Sequence, residues 1–455
     1  MISKTLNVFK ASADEGKAYL FYLLIAVFLF QLFCGGAPNS PTIKFQIGLF
    51  LSLALLAVAL WEGALGALLA RDRLLALALA ALWLVPLIQI IPLPPGIADA
   101  LPGQRLEQGI LDYVGRGDMW RPMTIDLGAT QFSILTLVPA TAVFLATLTI
   151  GPEQRKLLVK LVFLVAFLAA FVAFFQFVSA GTTFDFYKTA HKGFGIGFFA
   201  NRNHQADFIV ISMLLAAALL IRDAKDRQAQ VIGLTLVAIL AFSAVMATFS
   251  RAGMAFFLVA FVAVVIAAIG LRRIRWRPAL AAVVVLAGVG GAVASSHQFA
   301  RFLERLDTAA DDQRFEYAAQ SMPIIGDYFP AGSGMGTFVP VYEKYETIDR
   351  VVPNFANHLH NDYLEILMEG GALGALALLI GMVAIGRLIL RSLRDPLRPS
   401  GLPGTAAAAG VTILLLHSVI DYPLRTQTLA CLFAVLVVMM LSRGEGVASR
   451  SRSRG

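Results

Sequence analysis

Runs of about 18 or more apolar residues recur along almost the whole chain, and each is long enough to cross a hydrocarbon core of about 30 Å as a helix. A water-soluble core cannot absorb so many. Hydrophobic residues make up 58% of the chain and charged residues only 15%, against roughly 25% charged in an ordinary soluble protein. The expectation is an all-α, polytopic membrane protein of about twelve transmembrane helices, near 19–37, 43–61, 74–92, 131–150, 157–179, 204–221, 231–249, 252–271, 279–296, 363–386, 404–421 and 426–442.

Lysine and arginine orient these spans. With segment 1–18 in the cytoplasm, the inner connections hold Arg71 and Arg73, Arg155 and Lys156, Arg222, Lys225 and Arg227, "RRIRWR" at 272–277, Arg387, Arg391, Arg394 and Arg398, and the Arg/Ser tail at 443–455. They are short and basic, whereas the outer segments are longer and poorer in cations, which is the positive-inside pattern. Both termini are therefore expected in the cytoplasm. Spans 1–9 (19–296) carry outer loops at 93–130 and 180–203, and a larger outer loop, 297–362, precedes spans 10–12 (363–442). Within that loop "RFLERLDTAADDQRFEYAAQSMPIIGDYF" has the spacing of short amphipathic helices, so it is expected to form a small subdomain. The net charge of +8 reads as a topology signal and an attraction to anionic membrane lipids, with no nucleic-acid footprint. The stretch 19–37 is too long for a signal-peptide core and lacks a small-residue cleavage site, so it reads as a retained span. Cys34 and Cys431 lack CxxC spacing and imply neither a disulfide framework nor a thiolate metal site.

Titratable residues gather at one place in particular. "HLHNDYLEILMEGG" (358–371) sets two histidines, an aspartate and two glutamates before an apolar run. Asp362 followed three residues later by Glu365 resembles a capping box, which would start the helix near Tyr363. His360 would then sit just before a helix N-terminus, where the macrodipole disfavours positive charge and suits a proton acceptor. A histidine merely hydrogen-bonded at a loop-to-helix junction is the plainer reading. Glu365 and Glu369 share a helix face and reach the bilayer edge, so they need a cavity or partners. His358, His360 and Asp362 could instead be metal ligands on an extended segment. Arg251, in "FSRAG", is held at the membrane surface between two spans, where snorkelling to headgroups is the ordinary account. Arg314 in the large loop reads first as a solvated surface arginine, and "GSGMG" (332–336) as a tight loop. "GFFANRNHQADF" (197–208) brings Asn201, Arg202 and Asn203 to the start of a span; one asparagine would cap the helix, and the rest exceed what a cap requires. His191, His204, His297 and His417 are scattered and read as structural.

Taken in order, "FFANRNHQADF", "TFSRAGMAFF", "DDQRFEYAAQSMPIIGDYFPAGSGMGTF" and "HLHNDYLEILMEGGALG" resemble the O-antigen ligase and O-antigen polymerase superfamily of bacterial membrane glycosyltransferases. The resemblance covers most of 19–442. It implies about twelve spans in the inner membrane, a site on the periplasmic side, and transfer of a glycan from undecaprenyl pyrophosphate to an acceptor hydroxyl without metal, cofactor or nucleotide sugar. By position it makes His360, followed by Asn361, the catalytic base, and places Arg251 and Arg314 on the pyrophosphate. Bidentate guanidinium groups suit that task. Asn201, Arg202, Asn203 and His358 would support the site, and Asp362 or Glu365 would orient the imidazole. "HLHND" departs from a single-histidine motif, which leaves His358 as a second candidate base. The acceptor is expected to be lipid A–core, with a second lipid-linked repeat (a polymerase) or a protein hydroxyl as alternatives. A transporter or flippase is the reading from another class, and its polar groups would lie near the bilayer midplane.

Overall fold

The computed structural model describes residues 18–38, 41–187, 193–224, 226–270, 313–346, 356–394 and 398–442, with a few isolated positions between them. It is a helical membrane protein. Seven helices are long and apolar enough to cross a bilayer: α2 (Ile43–Trp61), α7 (Leu127–Thr149), α8 (Pro152–Val178), α9 (Arg202–Asp223), α10 (Arg227–Thr248), α11 (Arg251–Gly270) and α14 (Asp362–Ser392). Four shorter apolar helices, α1 (Ala18–Cys34), α4 (Arg73–Gln89), α15 (Leu402–His417) and α16 (Gln427–Leu441), occupy further expected spans. The span expected at 279–296, the segments 1–17 and 443–455, and much of the loop 297–362 lie outside the described residues. A short helix absent from the sequence reading, α3 (Ala64–Arg71), joins α2 to α4.

Helix starts follow local chemistry. Asp72, Asp126, Asn201, Asp226 and Asn361 are N-caps, each accepting a hydrogen bond from a first-turn N–H of α4, α7, α9, α10 or α14. This corrects the expected capping box: the cap of α14 is Asn361, and Asp362 is already the first helical residue. Asp362 then binds other partners, described below.

Helix α9 is the axis of the bundle. It is buried over 89% of its apolar window and packs against α8, α10, α11 and α15. A Cβ built on Gly253 would stand 2.4 Å from the Cβ of Ala206, so α11 approaches α9 closely in its first turn. Between α4 and α7, α5 (Pro95–Ala98), α6 (Arg105–Tyr113) and a two-residue antiparallel pairing of Pro92–Leu93 with Arg121–Pro122 form an irregular cover. A second small core holds Tyr328, Phe338, Tyr342, Leu359 and Met368, formed by α12 (Gln313–Tyr328), α13 (Phe338–Tyr345) and the first turns of α14. Residues 313–346 of the expected outer loop contribute α12 and α13 to this core.

Helix α14 kinks at Gly371 (φ 55°, ψ −142°). A kink frees backbone groups that lipid cannot satisfy, and the loop 330–334 meets them: Ser333 N–H donates to Met368 O (3.1 Å), Gly334 N–H to Glu369 O (2.9 Å), and Ala372 N–H to Pro330 O (2.9 Å). Gly332 has φ 79°, and a Cβ there would lie 2.4 Å from Glu369 O and 2.6 Å from Gly371 N. Gly332→Ala is therefore expected to cost about 1–3 kcal/mol, read as a lower melting temperature in detergent. Gly326→Ala, where a Cβ meets open space, is the control, and equal melting of the two variants would refute the account.

Candidate active site at the start of α9, α11 and α14

The segment 358–361 is anchored on both sides. Before it, Leu359 N–H donates to Glu365 Oε2 (2.9 Å) and His358 Nδ1 lies 2.9 Å from Glu365 Oε1. After it, Asn361 Oδ1 accepts from Tyr363 and Leu364 N–H. Between these anchors His360 takes φ 56°, the left-handed region that costs a residue with a Cβ about 1–2 kcal/mol. The His360 Nδ1 faces Asp421 Oδ1 at 3.4 Å.

Asp421 lies on the connection between α15 and α16 and is fully buried. The expected span 404–421 ends early, at His417, where Ile420 and Asp421 N–H both return to His417 O and Pro423 follows. The chain so freed carries Asp421 into the centre of the site. His204 Nε2 stands 3.5 Å from its Oδ1, and Arg314 Nη2 3.6 Å from its Oδ2. Asn203 Nδ2 donates to Oδ2 (2.7 Å), Asn201 Nδ2 to Oδ1 (3.4 Å), and Tyr422 N–H to Oδ1 (2.9 Å). Burial raises the pKa of the Asp421 carboxyl, but contacts from His204 and His360 and the charge of Arg314 outweigh it, holding the pKa well below the usual carboxylate range. Arg314 Nη1 also donates to Ile420 O (3.1 Å). The Tyr422 ring lies among three imidazoles, its centroid 4.4 Å from that of His358, 4.8 Å from His360 and 5.2 Å from His204. Burial and the Asp421 charge raise its pKa, so it remains a phenol.

A second cluster adjoins the first. Arg425 Nε lies 3.0 Å from Asp362 Oδ1, and its Nη1 lies 3.0 Å from Glu365 Oε1 and 3.5 Å from Glu369 Oε2. Ser418 Oγ donates to Asp362 Oδ2 (2.9 Å), and Phe338 N–H to Glu369 Oε1 (3.0 Å). These are the partners that Glu365 and Glu369 require at a membrane edge. The guanidinium stitches the start of α14 to the α15–α16 connection.

The structure thus redistributes the expected roles. Neither Asp362 nor Glu365 orients His360: Asp362 faces Arg425 and Ser418, Glu365 faces His358 and Arg425, and Asp421 faces His360. Nor do His358, His360 and Asp362 converge as a metal site, since each points to a different partner. Asn201 is the α9 cap, whereas the Asn203 side chain serves Asp421. Arg202 places its guanidinium over the Phe194 ring, 4.6 Å from the centroid. Arg251 is exposed and opens α11, two residues before Gly253, whose close packing on Ala206 sets it beside the first turns of α9. His204, His417, Asp421 and Arg425 were not singled out as functional from sequence. One signal was available: "SVIDYPLR" (418–425) places two opposite charges in a connection of a few residues between apolar runs, the same costly setting that singled out Arg251.

Residues 236–379 match the family model described as O-antigen ligase. The stretch carries an O-antigen ligase domain. Over these residues the resemblance read from sequence is upheld. No curated protein matches the chain. The ligase domain contains Arg251, Arg314, His358, His360 and Glu365, while Asn201, Asn203, His204 and Asp421 lie outside the matched residues.

Proposed function

We propose that the protein is an inverting glycosyltransferase of the O-antigen ligase type. On this reading it moves a glycan from undecaprenyl pyrophosphate to a hydroxyl of lipid A–core at the periplasmic face of the inner membrane, with both termini in the cytoplasm. The observation that carries it is the pairing of His360 with a buried, ionised Asp421 beside Arg314. His360 takes the proton of the acceptor hydroxyl as that oxygen bonds to the anomeric carbon, and the anomeric C–O bond to pyrophosphate breaks with its electron pair. Asp421 stabilises the imidazolium that forms. Arg314 and Arg251 balance the charge growing on the leaving pyrophosphate, a task they perform without a metal ion.

A groove supports the lipid part of the reading. It has a volume of about 290 Å³ and an apolar lining that includes Leu79, Phe144, Met335, Ile366, Met382 and Phe433. It runs between α4, α7, α14 and α16, and Ile366 adjoins Glu365 of the site. The polyprenyl tail of the donor would lie there while its pyrophosphate meets the arginines.

Deletion of the gene with analysis of all surface glycans tests the function. Full-length polymer should remain on undecaprenyl pyrophosphate and vanish from lipid A–core. Accumulation of single lipid-linked repeats would instead make the acceptor a second repeat, and loss of glycoproteins alone would overturn both versions.

A further inference from the structure

Asn203 and Asp207, four residues apart, share a face of α9 and meet His417, the last residue of α15, and Asp421, four residues on in the connection that follows. Asn203 holds Asp421; one turn along, His417 Nδ1 lies 2.6 Å from Asp207 Oδ2. Both members of this second pair are fully buried. The other ring nitrogen, His417 Nε2, stands 3.9 Å from Asp421 Oδ2. Among the described residues neither His417 Nε2 nor Asp207 Oδ1 has a hydrogen-bond partner. The Phe256 ring of α11 packs against the imidazole, the two centroids 5.6 Å apart and the planes inclined by 70°. Holding α9 to α15 does not require such a pair, because an apolar contact does the same without desolvating two ionisable groups.

Three imidazoles surround Asp421, and they are not equivalent. His204 and His360 each face it through one nitrogen, whereas His417 has a carboxylate at both. Positive charge costs least between two carboxylates. We infer that Asp207 and His417 are positioning residues for transfer: they hold a proton on His417, so that its positive end, turned toward Asp421, keeps His360 neutral and able to accept the hydroxyl proton. The inference rests on His360 being the base. His417 neither gives nor takes a proton during the step.

The groups that act on this pair come from several elements. His417 is faced by Asp207 from α9, by Asp421 from the following connection, and at longer range by Arg314 of α12. His360 is faced by Asp421 and Tyr422 from that connection and by Tyr317, whose ring is 6.3 Å away, from α12; His358 lies two residues before it. His191 feels the same charges, but burial first, then Arg202, His204 and Arg314, against the pull of Asp421, push its pKa down to about 4. It stays neutral where activity would be measured.

Profiles of kcat/KM against pH for the wild type, His417→Gln, Asp207→Asn and His360→Ala test the inference. Losing either member removes the positive end that faces His360, so the acid limb should move up by about one pH unit, with activity at pH 6.5 falling several-fold and recovering near pH 9. A pair that merely braces two helices would lower turnover at every pH and leave the limb where it was, and that result overturns the inference. The Asp207→Asn side chain is isosteric and can still hydrogen-bond His417, so it carries the test if His417→Gln does not fold. Should both misfold, wild-type protein labelled with 15N-histidine must show one imidazolium persisting at pH 8, and its absence is equally decisive. If His360→Ala keeps its turnover, the base assignment fails; if it is dead while the limb of the other variants is unmoved, only the role of the pair fails.

Discussion

His360→Ala should abolish glycan transfer, a loss of about 10²–10⁴-fold in kcat, while membrane insertion stays intact. The imidazole sits on a connection outside the apolar helices, so its removal leaves their packing untouched, and it also leaves Asp421 with Arg314, His204 and two asparagines around it. His358→Ala should be milder. That ring contacts Glu365 and Tyr422, so its loss loosens the anchor of the strained segment without taking away the proton acceptor. The measurement is turnover of purified protein with lipid-linked glycan and acceptor in EDTA, beside a melting curve. Near-wild-type turnover of His360→Ala would sink the assignment, and a dead His358→Ala with an active His360→Ala would pass the role to His358.

The spans were legible because a bilayer imposes one rule on every residue within it: backbone groups must be satisfied inside the segment and side chains must be apolar. That rule acts along the chain, so a window of sequence is enough to see α2 or α10. The end of α15 was not legible in this way. Ser418, Val419 and Ile420 continue the apolar pattern, yet the helix stops at His417 because Pro423 follows and the returning N–H groups close on one carbonyl. Four residues of misplaced helix hid Asp421 within a span and with it the centre of the site.

Roles read from local spacing failed where a tertiary partner was stronger. Asp362 and Glu365 have the spacing of a capping box, but the Arg425 guanidinium binds both and Asn361 takes the cap. His360 and Asn203 were visible as polar groups at the start of a span, and Arg314 only through the family resemblance, since its own setting reads as a solvated loop. That they share one carboxylate was not visible, since it comes from a connection far along the chain, 218 residues beyond Asn203, and α9 presents Asn203 only after the bundle has packed.

Asp421→Asn should cut kcat by about a hundredfold or more and raise KM as well. An amide of the same shape keeps the packing but has only one accepting oxygen and no charge. His360 loses the group that stabilises its imidazolium, and Arg314 loses an ion partner 3.6 Å away, so both the proton acceptor and the leaving-group cation shift. Arg425→Lys, in the adjoining cluster, tests whether the effect is specific: it retains charge near Glu365 and Glu369 while losing the fork that reaches Asp362 through Nε and the two glutamates through Nη1, and it should lower stability more than it changes the pH dependence. The sign of the pH effect on Asp421 follows from its depressed pKa. A carboxylate lower in the folded state than in the unfolded chain, where it lies near 3.9, contributes stability that is fully present above the unfolded value and is lost as pH falls through the folded one. Asp421→Asn should accordingly melt earlier than wild type at pH 7, with the gap narrowing toward pH 3 and below. Over the range where imidazoles titrate, Asp421 stays charged, so the acid limb of wild-type activity reports a histidine and not this carboxylate. An Asp421→Asn protein with wild-type kcat would remove Asp421 from the catalytic cluster and leave it a structural link between α9 and α15.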